Sequence, residues 1–189
     1  MNPQEDLWRH LALITALVER APAKTLGRTA IVKMAYLLQT VKGIPLGYDF
    51  RLYIYGPYDA NVLYHLACAE ALGAVKILPV PYPGGYGFEV RPGPEASAIQ
   101  ARAEDWLAQH QSAVDWVIRE FGAFSAAELE LLSTIIYVDR EFARENRKVK
   151  WEELARRVRD VKPHFSELSV IDKTKLLLDK NLLISVNNF

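Results

Sequence analysis

The chain has a single cysteine, Cys68. It cannot close an intramolecular disulfide, and no cysteine-based zinc cage can form. It also lacks net charge, with 23 Lys and Arg against 23 Asp and Glu. A neutral chain offers no broad cationic surface of the kind that counterion release demands of a protein that coats nucleic acid. No apolar run approaches the roughly 20 residues of a membrane-spanning helix. The polar, acid-bearing start, Met1 to Asp6, does not suit a signal peptide, so none is expected. Cys68 lies among alanines and apolar residues and reads as a small buried hydrophobe. A reducing, cytoplasmic setting fits these features, and no membrane contact is expected.

Catalytic and metal-binding patterns are missing as well. His10, His65, His110 and His164 are scattered, with no pair at i, i+3 or i+4 and no H-E-x-x-H. There is no G-x-S-x-G elbow and no S-x-x-K. The acid pairs Glu104-Asp105 and Glu152-Glu153 are adjacent in sequence, so on a helix they diverge by about 100° and face solvent rather than one substrate. Gly84, Gly85 and Gly87 lack the Lys-Ser/Thr of a phosphate loop and read as a hairpin tip. No catalytic residue, cofactor or metal is expected, and the chain reads as a binding protein rather than an enzyme.

What is present is an ordinary globular composition: 189 residues, half of them hydrophobic and about a quarter charged. That length serves one large domain or two small ones. Helical spacing runs from Leu7 to Arg20. Arg28 to Val41 is apolar on most of its circumference and belongs at the centre of a core. Phe50 to Tyr55 alternates like a strand, Gly56-Pro57 reads as a turn, and Asp59 is placed to cap a helix that ends at Leu72-Gly73. Val75–Val80 and Tyr86–Val90 read as two strands of an edge hairpin joined through Pro81–Gly85. Pro92–Pro94 is the candidate linker. Beyond it, a long amphipathic helix over Glu95–Phe121 is expected. A helix opened by the box Ser125-Ala-Ala-Glu128 follows, then a helix over Trp151–Val161. A last helix is read from Ser169 to Lys180, with a short strand at Leu182–Val186. The predicted class is mainly α with a small β-hairpin (α+β). A winged-helix-like module over residues 1–92 precedes a helical region over residues 93–189, whether packed as one domain or two.

The neutral total hides local bias. Residues 20–60 carry an excess of four bases, residues 140–162 another excess of four, and residues 89–130 an excess of five acids. Either these segments neutralise one another, or they form a patch for an acidic partner. In a winged helix the segment after Asp59 would be the groove reader. It offers Asn61, Tyr64, His65 and Cys68 but no Lys or Arg, which weakens a duplex-DNA reading. The aromatic cluster Tyr48, Phe50, Tyr53, Tyr55 and Tyr58 has two strand faces. One is core. The other is either core too or an exposed patch, since Tyr is favoured at interface hot spots.

The combination R-T-A-I-V-K-M-A-Y-L-L-Q, then F-R-L-Y-I-Y-G-P-Y-D, then a helix ending L-G-A-V resembles the Panacea (SocA-like antitoxin) domain and the related YwgA-type bacterial proteins. Lys33, Tyr36 and Gln39 match the family's helix motif, and Tyr55, Gly56, Pro57 and Tyr58 its corner. E-L-E-L-L-S-T-I-I-Y and L-A-R-R-V-R-D-V-K-P-H-F-S resemble the C-terminal region of the YwgA type. Ile31 and Val32 depart from the pattern, where more polar residues are usual. The resemblance implies a mostly helical, winged-helix-like fold that serves as an antitoxin or adaptor without known catalysis.

Together these features predict a regulatory or antitoxin-like protein that acts through protein contacts, with a toxin or regulatory factor as partner. The candidate contact residues are Lys33, Tyr53, Tyr55, Tyr58, Asn61, Tyr64 and His65. The alternative is a winged-helix DNA-binding regulator using Arg28, Lys33, Arg147, Lys148 and Lys150. A homodimer is compatible with either.

Overall fold

A computed structural model describes residues 3–21, 26–82 and 85–187. Among them the elements run α1 (Pro3–Arg20), α2 (Arg28–Lys42), β1 (Arg51–Tyr53), β2 (Gly56–Tyr58), α3 (Ala60–Ala71), β3 (Val75–Tyr82), β4 (Gly85–Pro92), α4 (Ala96–Ala101), α5 (Glu104–Phe121), α6 (Ala126–Arg144), α7 (Trp151–Val161) and α8 (Glu167–Asp179). The class is α+β, mainly α, with two separate antiparallel strand pairs where one was expected. The chain divides into two compact units. The first holds Met1–Phe50 with Asp59–Ala126, and the second holds Arg51–Tyr58 with Ala127–Phe189.

In the first unit, α2 is the central element. Its nine residues from Ala30 to Leu38 are all buried, as an apolar circumference requires. That run includes Lys33, which is only 1% exposed. Gly43 closes the helix in the left-handed region at φ 68°. Asp59 caps α3 by accepting the Asn61 amide at 2.8 Å. At the other end the Gly73 amide donates to Glu70 O and the Ala74 amide to Ala69 O, a Schellman closure with Gly73 at φ 74°. The wing β3–β4 follows, and the Val90 amide donates to Leu26 O at 2.8 Å, adding a one-residue bridge on the β4 side. Three helices, a bridge and a hairpin give this part the element order of a winged helix. The strands are longer than the pattern implied, and the tip at 83–84 lies outside the described residues. Pro79 and Pro81 sit on β3, whose outer edge pairs with no strand among the described residues.

Two expectations are corrected here. Pro92–Pro94 falls inside the first unit rather than between units: the Gly93 amide donates to Ala74 O and the Glu95 amide to Gly73 O, which stitches this stretch to the end of α3. The helix expected over Glu95–Phe121 is two helices, because Ala103 leaves helical conformation at φ −136°. The break lets α4 bury Ala96 and Ile99 against α1 while α5 buries Leu107, Val114, Val117 and Phe121. Glu104 and Asp105 then fall in the first turn of α5, where carboxylates favour a helix start.

In the second unit, α6 is buried along most of its length, through Leu129–Ile136, Val138, Asp139 and Phe142. The last helix begins a turn earlier than Ser169 because Ser166 takes the cap, accepting the Ser169 amide at 3.2 Å. The strand expected at Leu182–Val186 reduces to one parallel bridge, Val149 to Val186. The buried Asp139 carboxylate accepts the amides of Ile184 and Ser185 and the Ser185 hydroxyl, so those donors are spent on a side chain rather than a ladder.

Candidate functional site

The feature that stands out in the second unit is the β1–β2 hairpin. Its register pairs Arg51 with Tyr58, Leu52 with Pro57 and Tyr53 with Gly56, which leaves Ile54 and Tyr55 as a two-residue tip. The turn therefore lies two residues earlier than the expected Gly56-Pro57, and those two residues belong to a strand. Gly56 takes φ 82°, the left-handed residue that lets a tight loop re-enter its partner strand. A Cβ here would stand 3.0 Å from Thr134 Oγ1 and 3.2 Å from Glu130 O, so the backbone lies directly against α6. Both demands select glycine.

Three consecutive large side chains are exposed at this tip: Tyr53 at 63%, Ile54 at 77% and Tyr55 at 69%. Such a run at one point is a patch rather than the scattered apolar exposure of any surface. Tyr58 is half-buried, with its ring 5.7 Å from that of Tyr53.

Under the tip lies a buried ion pair that sequence reasoning missed. Pro163 disfavours helical backbone at the residue before it, which ends α7 at Lys162. The Lys162 ammonium donates to Glu130 Oε1 at 2.8 Å, to Tyr53 O at 3.1 Å and to Ile54 O. Its side chain is 3% exposed and that of Glu130 8%. All three ammonium donors are thus used, the condition under which a buried lysine remains tolerable. His164 Nε2 lies 3.4 Å from the same Glu130 oxygen. The only legible signal was an acid inside the apolar run E-L-E-L-L-S-T-I-I, while Lys162-Pro163 read merely as a helix breaker.

The other expected contact residues belong to the first unit. Asn61 and Tyr64 are exposed on α3, Tyr64 at 61%. His65 is half-buried and engaged: its Nδ1 is hydrogen-bonded with Tyr48 Oη at 2.9 Å, and its ring stacks on His10 at 4.3 Å. Burial, then the neighbouring His10, pushes the His65 pKa down to about 4, with Asp59 opposing. Burial and the Asp59 charge raise the Tyr48 phenol well above its usual range. Gln39 fixes Tyr48 by donating to its carbonyl at 2.8 Å and accepting its amide at 3.0 Å. Asp59 Oδ2 also accepts the Asp49 amide at 2.6 Å, tying the chain just before the hairpin to the chain just after it. His10 and His65 meet although they are 55 positions apart, a proximity that local spacing cannot reveal. Cys68 is half-buried rather than buried. Lys33 is corrected in both of its expected roles, because a side chain this buried presents no surface to a protein or a phosphate.

Arg28, Arg147 and Lys148, three of the basic residues offered for DNA, have other engagements. The Arg28 guanidinium lies over the Phe88 ring at 3.6 Å. Arg147 pairs with Glu145 and Glu153, and Lys148 donates to Ile184 O. Lys150 is exposed. The groove of about 380 Å³ beside Arg147, Arg156 and Arg157 carries four acids against these three arginines, so it is no anion site. Among the described residues no group of three or more His, Cys, Asp or Glu is placed to hold a metal, and no single helix is long and apolar enough to cross a membrane. No family model matches the chain, and no curated protein matches it.

Proposed function

We propose that this chain is a non-catalytic, antitoxin-like regulatory protein of the cytoplasm whose contact with a protein partner is made by the Tyr53–Ile54–Tyr55 tip. The observation that carries this reading is three adjacent large hydrophobic side chains held exposed on a backbone pinned from below by Lys162 and by the close approach of Gly56 to α6. Phenols and an aliphatic side chain on a convex, pre-ordered turn are the composition of an interface anchor, since little conformational entropy remains to be lost on docking. The matching partner surface is a concave apolar pocket with hydrogen-bond acceptors at its rim for the two hydroxyls. The similarity of the Tyr55-Gly56-Pro57-Tyr58 segment to the corner of Panacea-type antitoxins supports the same reading.

A photo-crosslinking residue introduced at Ile54 in cells tests this, with the same residue at Leu168 as control, itself 73% exposed on α8. A discrete protein adduct specific to position 54 is the expected result. Equal or absent labelling at the two positions overturns the proposal.

The element order of a winged helix favours a second reading, a DNA-binding regulator. Against it, α3 carries no cationic side chain to clamp phosphates. Anisotropy of a labelled duplex at low and physiological salt decides: micromolar, salt-sensitive binding would promote this reading over the first.

A further inference from the structure

We propose that Lys162 is a positioning residue: its ammonium, rather than the hairpin's own ladder, holds the Tyr53–Ile54–Tyr55 tip in shape. The term positioning rests on the protein-binding role proposed above, whereas the clamp itself stands on geometry. β1 and β2 have three residues each, and a two-stranded hairpin alone is at best marginal in water. Something outside the hairpin must order its tip. Lys162 comes from a point about 108 residues further along the chain and binds the carbonyls of two consecutive residues, Tyr53 and Ile54. These are the last residue of β1 and the first of the turn, so the ammonium reads the backbone bend and leaves all three side chains outward. Glu130 neutralises the lysine from α6, one residue position whose own carbonyl also faces Gly56. The tip is thus held from two sides by one helix and one ammonium.

Such a pair contributes little to global stability, because the desolvation of two buried charges offsets most of their attraction. Its effect belongs to local order. Limited chymotrypsin digestion of the full-length chain separates the two contributions, since cleavage can follow Tyr53 or Tyr55 at the tip and Tyr86 on the wing, which is 75% exposed and serves as internal reference. The variant is the double replacement Lys162→Met with Glu130→Leu, which leaves no unpaired buried charge. The expected result is a roughly tenfold rise in tip cleavage relative to Tyr86, with a melting temperature within about 5 °C of the parent. An unchanged ratio overturns the proposal. So does a double variant that does not fold, or one in which all sites open together, since the pair would then hold the unit rather than the tip. Failure here differs from failure of the binding role: a tip that loosens in the variant but gives no adduct at Ile54 in the parent sinks the binding role alone.

Discussion

Two polar clusters, one buried in the second unit and one half-buried in the first, solve the desolvation problem in opposite ways. In the second unit, Lys162 and Glu130 meet as a buried lysine–carboxylate pair, and the lysine's three donors all find oxygen. In the first unit, His10, Tyr48 and His65 form an aromatic cluster in which burial favours the uncharged forms of Tyr48 and His65, and the buried Nδ1 of His10 has no hydrogen-bond partner among the described residues. The difference teaches what a protein interior asks of ionisable groups. A charge is kept where its hydrogen bonds are completed. Where burial outweighs any charged partner, as at Tyr48 and His65, the neutral form is favoured.

The largest break in this comparison is Lys162→Met alone. It strands the Glu130 carboxylate, and a loss of about 3–5 kcal/mol is expected in urea unfolding. The double variant with Glu130→Leu should recover most of that. Next is Gly56→Ala, which forces a Cβ into the left-handed region and against Thr134 Oγ1. It should cost about 1–3 kcal/mol, read by the same unfolding curves. The acid response of the histidine cluster follows. His65 has a folded pKa of about 4, below its ordinary 6.5, so the unfolded chain binds the extra proton first. Its contribution is therefore complete above about pH 6.5 and is lost as the pH falls toward 4. After discounting for partial exposure this is on the order of 1–2 kcal/mol. His65→Phe should flatten that part of a stability-against-pH profile, and an unchanged slope would remove His65 as its source. The smallest effect is Tyr48→Phe, which removes one hydrogen bond for about 1 kcal/mol and should move the acid transition of His65, visible by NMR titration of its ring protons.

Local chemistry made much of the fold legible. The bounds of α2 and α7, the Asp59 cap and the Gly73 closure follow from residues within one turn of each feature. The tip was legible as aromatic but not as a hairpin. Its register depends on Gly56 meeting Thr134 and Glu130 more than 70 residues away, and no periodicity encodes that approach. Lys33 misled for a related reason. A lysine on a helix that is apolar all round can be carried into the core with it, and composition alone reads the charge as surface.

The amino-acid sequence alone determined the mainly helical class, the burial of α2, the Asp59 and Gly73 caps and the break at Lys162-Pro163. All of these arise from forces acting within a few residues: side-chain periodicity, capping hydrogen bonds and the restricted backbone of proline. Tertiary structure decided which aromatic residues stay outside, which histidines stack and which carboxylate receives Lys162. Those outcomes turn on burial and on donors meeting acceptors across more than 100 positions of chain, as between Lys162 and the hairpin carbonyls, and the folded packing alone brings such groups together.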